Sequence, residues 1–226
     1  MSISEKIKEL HTTLPKHVTL VAVSKTKPVA DLQEAYDAGQ RVFGENKIQE
    51  MAEKWEVLPK DISWHMIGHV QRNKVKYMAA FVDLIHGVDS LKLLKEIDKQ
   101  AKKHHRIIKC LLQIKIAEED SKFGMSSADA SSLLASAECT QLENIQIVGV
   151  MGMATFTDDT TQVQKEFNNL KTTFDHLQAQ HASLEIISMG MSGDYELAIK
   201  EGSTMVRIGS SIFGARNYTS ASQVNP

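Results

Sequence analysis

The sequence predicts an α/β fold, a single (β/α)8 barrel with an extra helix at its N-terminus. Three observations predict it. Eight short runs rich in β-branched residues recur along 226 residues. A segment of helical periodicity follows each of them except the last. No stretch rich in Gly, Pro or Ser divides the chain, so 1–226 reads as one domain, with a polar tail at 220–226 expected to fray. A doubly wound open sheet gives the same local rhythm, because periodicity along a chain does not reveal whether the sheet closes.

The elements follow in order. A helix is expected over about 2–14. The strand candidates are 18–23, 41–44, 63–68, 83–88, 107–116, 145–153, 184–190 and 205–209. The first crossover helix starts after Pro28, where a first-turn proline is tolerated, and shows an apolar stripe at Leu32, Ala35, Tyr36 and Ala38. Further helices are expected over about 46–58, 74–81, 90–104, 127–138, 160–180 and 193–201. Gly39 and Gly202 stand where helices stop.

Composition narrows the function. The chain is 42% hydrophobic and 24% charged, with a formal net charge of -2, so nothing in the balance suggests a nucleic-acid groove or an anionic membrane surface. Cys110 and Cys139 are too few for a disulfide framework or a thiolate metal cage, and Cys110 reads as a small core hydrophobe. A reducing, cytoplasmic compartment fits. The charged N-terminus lacks an apolar signal core, and no run approaches the roughly 18–20 apolar residues of a membrane span.

Active sites of barrels and open α/β sheets sit at the carboxyl ends of the strands. Two clusters there stand out. The first is Lys25, just past the apolar run Val18–Val23. A partly desolvated amine has a lowered pKa and forms Schiff bases, although a lysine snorkelling to a barrel rim gives the same pattern. Lys27 is expected to face solvent.

The second cluster is the pair of loops after strands seven and eight. Ser192 and Gly193 open one helix, and Gly209, Ser210 and Ser211 open a short apolar turn. Hydroxyls and free N–H groups at such positions make an anion cradle, a common use of these two loops in barrels; Ser192 as a simple helix cap is the plainer alternative. In a closed barrel the last strand pairs with the first, which brings Lys25 near Arg207 and Gly209. A Schiff-base lysine beside a phosphate cradle suggests a phosphorylated aldehyde, either a sugar phosphate or pyridoxal phosphate.

Other chemistries fit less well. His65 and His69 lie on a strand running into a turn, not on one helical face, and no H-E-x-x-H occurs, so no metal site is expected. His104 and His105 end a lysine-rich helix. Gly209 to Gly214 has the glycine spacing of a nucleotide loop, but Ala215-Arg216 follows in place of Lys-Ser/Thr.

The motifs V-S-K-T-K-P (23–28), F-G-E-N (43–46), W-H-M-I-G-H-V-Q-R-N-K (64–74), M-S-G-D (191–194) and V-R-I-G-S-S-I-F-G-A-R (206–216) resemble the pyridoxal phosphate homeostasis protein family. That family is a single TIM-barrel domain similar to the N-terminal domain of alanine racemase. The resemblance runs from about residue 1 to 217. It implies pyridoxal 5'-phosphate (PLP) as cofactor and Lys25 as the internal aldimine lysine. It implies that Ser192, Gly209 and Ser210, with Gly193 in the same loop, hold the phosphate. Arg207 approaches the pyridine nitrogen, and Asn46 lies near the ring or the lysine. Met151 and Met153 pack against the ring or simply fill the barrel. One departure is Val70 in G-H-V-Q, where the family more often has leucine. His69 beside it has no obvious partner in the sequence.

The resemblance further implies a protein that binds and buffers PLP and delivers it in vitamin B6 homeostasis without robust catalysis, with PLP-accepting apo-enzymes as partners and a monomeric state. The alternative is a weak PLP-dependent racemase or lyase. Arginine stays protonated, so Arg207 beside the ring nitrogen leaves it unprotonated and a poor electron sink. Racemases of this fold add a tyrosine base from a second domain. Tyr36, Tyr77, Tyr195 and Tyr218 offer no evident substitute here. Lys122, in the loop after strand five, is a further rim lysine that could contact a departing PLP or simply be solvated.

Overall fold

A computed structural model describes residues 1–118 and 123–214. Lys122, Arg216, Tyr218 and the tail at 220–226 lie outside the described residues. The eight expected strands form: β1 (Thr19–Val23), β2 (Val42–Glu45), β3 (Ser63–Met66), β4 (Val82–Val88), β5 (Ile108–Gln113), β6 (Ile145–Met151), β7 (Ile186–Met191) and β8 (Met205–Ile208). They are parallel and close in chain order. The decisive pairing is β1 with β8, which sets Thr19 opposite Met205, Val21 opposite Arg207 and Ala22 opposite Ile208. This excludes the open sheet.

The period-two alternation of each strand divides the core in two. Val21, Val23, Ile67, Leu84, Leu111, Val148, Met151 and Met205 pack together inside the barrel. Leu20, Ala22, Phe43, Trp64, Leu112 and Val206 face outward under the helices. Side chains fill the lumen, so the chemistry is left to the strand ends and the loops beyond them.

The N-terminal helix α1 (Ile3–Thr13) opens with a capping box: Ser2 Oγ accepts from the Glu5 N–H, and the Glu5 carboxylate accepts from the Ser2 N–H. Helices α2 (Val29–Asp37) and α3 (Ile48–Val57) follow β1 and β2. Gly39, at φ 103°, ends the turn after α2, and Gly202, at φ 96°, does the same after the helix Tyr195–Lys200. The remaining helices are α4 (Leu91–Lys103), α5 (Ser127–Ala135), α6 (Ala137–Thr140), α7 (Thr160–Gln178), α8 (Tyr195–Lys200) and α9 (Ser210–Phe213).

Two expected helices differ. The segment expected over 74–81 is a 3-10 helix, Arg72–Tyr77, whose end is tightened by a Met78 N–H bonded to the Val75 carbonyl. The segment expected over 127–138 divides at Ser136. That residue leaves helical geometry at ψ 138°, and its hydroxyl caps the next turn by accepting from the Cys139 N–H. Among the described residues no helix is long and apolar enough to cross a membrane, and no group of three or more His, Cys, Asp or Glu could hold a metal ion. Cys110 and Cys139 are free and buried, and burial raises both thiols.

Candidate cofactor site

The seam between β1 and β8 carries the candidate site. Val21 and Val23 point into the lumen, and Lys25 stands two residues further on, half-buried at the mouth. The residues on either side of it are gripped. Ser24 is fully buried; its N–H donates to the Gly44 carbonyl, and its hydroxyl donates to Glu45 Oε1 at 2.6 Å. Thr26 adopts φ 63°, a left-handed conformation that is strained for a β-branched residue by about 1–2 kcal/mol. Its N–H donates to Glu50 Oε1 at 2.6 Å.

Lys54 of α3 completes this arrangement. Its ammonium donates to the Ser24 carbonyl at 2.8 Å, Glu45 Oε1 at 2.7 Å and Glu50 Oε1 at 2.8 Å, so all three N–H groups are used. Glu45 Oε2 is buried without a partner. Burial accordingly raises the Glu45 pKa against the pull of Lys54 and Ser24.

Arg207 lies on the other side of the seam, inside the barrel and 4% exposed. One guanidinium nitrogen donates to the Ser188 carbonyl at 2.9 Å and the Ser188 hydroxyl at 2.7 Å. The other donates to the Gly152 carbonyl at 3.0 Å. Burial lowers its pKa to about 10, with Asp194 opposing, so it stays protonated at neutral pH.

An arginine only donates, and this fixes a chain of protons. The Ser188 hydroxyl accepts from Arg207 and turns its own proton to His86 Nδ1, 3.0 Å away. His86 Nε2–H then donates to His65 Nδ1 at 3.1 Å, and His65 Nε2–H donates to Ser63 Oγ at 3.3 Å. Both histidines are neutral. Burial, with the Lys109 charge second, pushes His65 down to about 3. Burial, then His65 and Arg207, pushes His86 down as well.

The two loops beyond β7 and β8 meet at one oxygen. Ser192 Oγ accepts from the Gly209 N–H at 3.1 Å and the Ser211 N–H at 3.5 Å. Ser192 is therefore not a helix cap; α8 begins at Tyr195 behind Asp194, whose carboxylate takes the Met191 N–H at 2.5 Å. Burial raises the Asp194 pKa, opposed by that N–H and by Arg207.

A Cβ on Gly209 would stand 3.2 Å from both the Cβ and the carbonyl oxygen of Val23, so the cradle backbone lies directly against the end of β1. Above Gly193 there is open space, and Ser210 is exposed. Two lysines tie down the far end of α9: Lys27 Nζ donates to the Phe213 carbonyl at 2.9 Å and the Gly214 carbonyl at 3.1 Å, and Lys6 Nζ to the Ile212 carbonyl at 3.2 Å. The solvent-facing placement expected for Lys27 is thus corrected.

The remaining expected residues surround this mouth less tightly. Asn46 is exposed at the end of β2, its backbone packed so closely on Gly68 that a Cβ there would meet the Asn46 oxygen at 2.6 Å. Met153 is half-buried against the lumen cluster, and Met151 is part of it. His69 does have neighbours: Asp89 Oδ2 lies 3.6 Å from its Nδ1, and Phe123 stacks on its ring at 4.6 Å.

A phosphorylated aldehyde fits these residues. The Gly209 and Ser211 N–H groups, from which Ser192 Oγ accepts here, and the Ser192 hydroxyl stand near the open space over Gly193, a set of donors that suits an anion. Two of the five guanidinium N–H groups of Arg207 remain for an acceptor. An amine stands two residues past the end of the strand paired with it.

Comparison with known proteins decides the family. The alanine racemase N-terminal domain family matches residues 1–217. The pyridoxal phosphate homeostasis protein of Vibrio alginolyticus is 39% identical over 211 residues, covering 91% of this chain and 89% of that protein. The chain belongs to the pyridoxal phosphate homeostasis protein family. The Escherichia coli K12 member of that family is 36% identical, over 91% of this chain and 88% of that one. The solved structure of PipY from Synechococcus elongatus PCC7942 with PLP bound matches with a TM-score of 0.86 at 38% identity, covering 94% of this chain and 100% of that one. Alanine racemase of Clostridium difficile 630, 16% identical, shares the fold with a TM-score of 0.79; the match covers 96% of this chain and 57% of that one.

Sequence reasoning about this family member missed the buried supports. Lys54 carried a signal: Ile48, Met51, Lys54 and Leu58 fall at helical spacing on one buried face, so a lysine there needed partners. His86 carried one too, two residues after Leu84 on the lumen side of β4. Ser188 carried none, since a serine in an apolar strand has many explanations.

Proposed function

We propose that this protein binds PLP at the β1–β8 seam through Lys25 and serves PLP homeostasis by holding the cofactor and passing it on rather than by turnover. The observation that carries the reading is the pairing of β1 with β8. That pairing sets Lys25, Arg207 and the Ser192–Gly209 cradle at one mouth. In this assignment Ser192, Gly193, Gly209 and Ser210 hold the phosphate, Arg207 donates to the ring nitrogen, and Met153 and Asn46 flank the ring. Bound there, PLP supplies an aldehyde, which joins the Lys25 amine as a C=N bond with loss of one water.

The residues around that bond favour retention over catalysis. Arg207 stays charged and can only donate, so it does not protonate the ring nitrogen. The described tyrosines are placed elsewhere. The Tyr36 hydroxyl donates to Asp61, that of Tyr195 to Glu196, and Tyr77 packs near Lys74 and Lys76. The relatives are named homeostasis proteins rather than enzymes, which agrees. PLP-accepting apo-enzymes are the proposed recipients, and a monomer the proposed state.

The test is an absorbance spectrum of the purified protein with PLP, before and after borohydride, beside Lys25→Ala. A visible band that reduction fixes to Lys25, and that the variant lacks, is the expected result. A protein that stays colourless with excess PLP rejects the reading.

A further inference from the structure

We propose that Glu50 and Lys54 are positioning residues for Lys25, gripping the backbone on both sides of it so that its amine is held ready at the barrel mouth. The proposal rests on the assignment of Lys25 as the carbonyl-reactive amine, and it adds how that amine is kept in place.

Three features point to it. The grip falls on both neighbours of Lys25: Lys54 takes the Ser24 carbonyl and Glu50 takes the Thr26 N–H. The turn closes on its own Lys27 N–H to Ser24 carbonyl hydrogen bond at 3.1 Å, yet that bond has strain to oppose, because Thr26 is exposed, gains nothing from burial and still occupies the left-handed region at φ 63°. The gripping groups are rigid: the Lys54 side chain is 6% exposed with every N–H engaged, and α3, which carries Glu50 and Lys54, is anchored on the barrel by buried Ile48 and Met51. Strain retained beside a reactive side chain and opposed by dedicated hydrogen bonds is a device for preorganisation. It lets a small mouth hold its ligand by fixing the amine in advance rather than by adding contacts.

The experiment compares Glu50→Ala, Glu50→Gln and wild type. Glu50 is partly exposed, so both variants should fold; both also lose the ion pair with Lys54, and their apo melting temperatures should drop alike. Glutamine keeps an oxygen for the Thr26 N–H and alanine does not. Two rates are read: hydrogen exchange of the Thr26 amide in the apo-protein, and release of PLP into a hydroxylamine trap. E50A should release PLP about tenfold faster, the loss expected for one hydrogen bond to a charged group. Its Thr26 amide should exchange faster by a similar factor. E50Q should stay close to wild type in both rates. Lys54→Met should behave as E50A does in release.

Release that is unchanged in E50A, or equally fast in E50A and E50Q, overturns the proposal. A wild-type protein with no borohydride-fixed PLP at Lys25 overturns the reading beneath it. The Thr26 exchange rate, measured without cofactor, tells the two failures apart.

Discussion

Arg207 donates and never accepts, and this one property orders four other side chains. It sets the Ser188 proton, then the tautomers of His86 and His65, and ends at Ser63. The arrangement works only while both histidines are neutral, which makes it sensitive to acid. Their folded pKa values lie below the ordinary value near 6.5, so the unfolded chain takes up protons first as pH falls. Stability present at pH 7 is therefore lost on the way down, by about 2 kcal/mol for His65 between pH 7 and 5, with His86 adding in the same direction. Urea unfolding of wild type and of the double variant His65→Gln/His86→Gln at those two pH values checks this. The variant should start less stable at pH 7 and show the flatter pH dependence. A wild-type slope equal to that of the variant would show that the two histidines titrate alike in the folded and unfolded chain.

At the scale of elements, the strands bring the site residues together and the helices hold the loops. Glu166 of α7 is 1% exposed and accepts from the N–H and hydroxyl of Thr155 after β6 and from the Glu118 N–H after β5. Burial pushes its pKa up, but those hydrogen bonds outweigh it and the net shift is downward. Glu166→Ala should cost about 2–4 kcal/mol in a urea titration, because two loops lose their common acceptor. Gly209→Ala tests the β1–β8 seam. Its Cβ would press on Val23 at 3.2 Å, so a loss of about 1–3 kcal/mol is expected, together with weaker PLP retention.

This is also the scale at which the sequence was most readable. All eight strands were visible because each is a compact apolar run between polar turns. The placement of Lys25, Arg207 and Ser192 at or beside strand ends was visible too, because each follows or closes an apolar run. The 3-10 helix was not, since Val75, Met78 and Ala79 have spacings that suit either winding. Nor was the Lys54 clamp: Glu50 is four residues away on the same helix, but the other two partners lie 9 and 30 residues away, at Glu45 and Ser24, and a pattern read along one helix does not see them.

For the whole molecule, the proposed site would couple the ligand to the fold through the seam. A ligand that binds only the folded chain stabilises it by about 2.7 kcal/mol at 100 times its Kd. Thermal melts with PLP at that excess should shift upward in wild type and much less in Lys25→Ala, whose apo form should melt within a few degrees of wild-type apo protein. Equal shifts in the two proteins would place the binding elsewhere. The seam has a second consequence, in the order of synthesis. Lys25 emerges early from the ribosome, while Arg207 and Gly209 are among the last residues of the barrel. At about 5–20 residues per second, roughly 10–40 s separate the amine from the groups it works beside. Throughout that interval the growing chain has the proposed nucleophile but not the proposed cradle, so on this assignment an unfinished chain does not sequester the cofactor that the finished protein is proposed to hold.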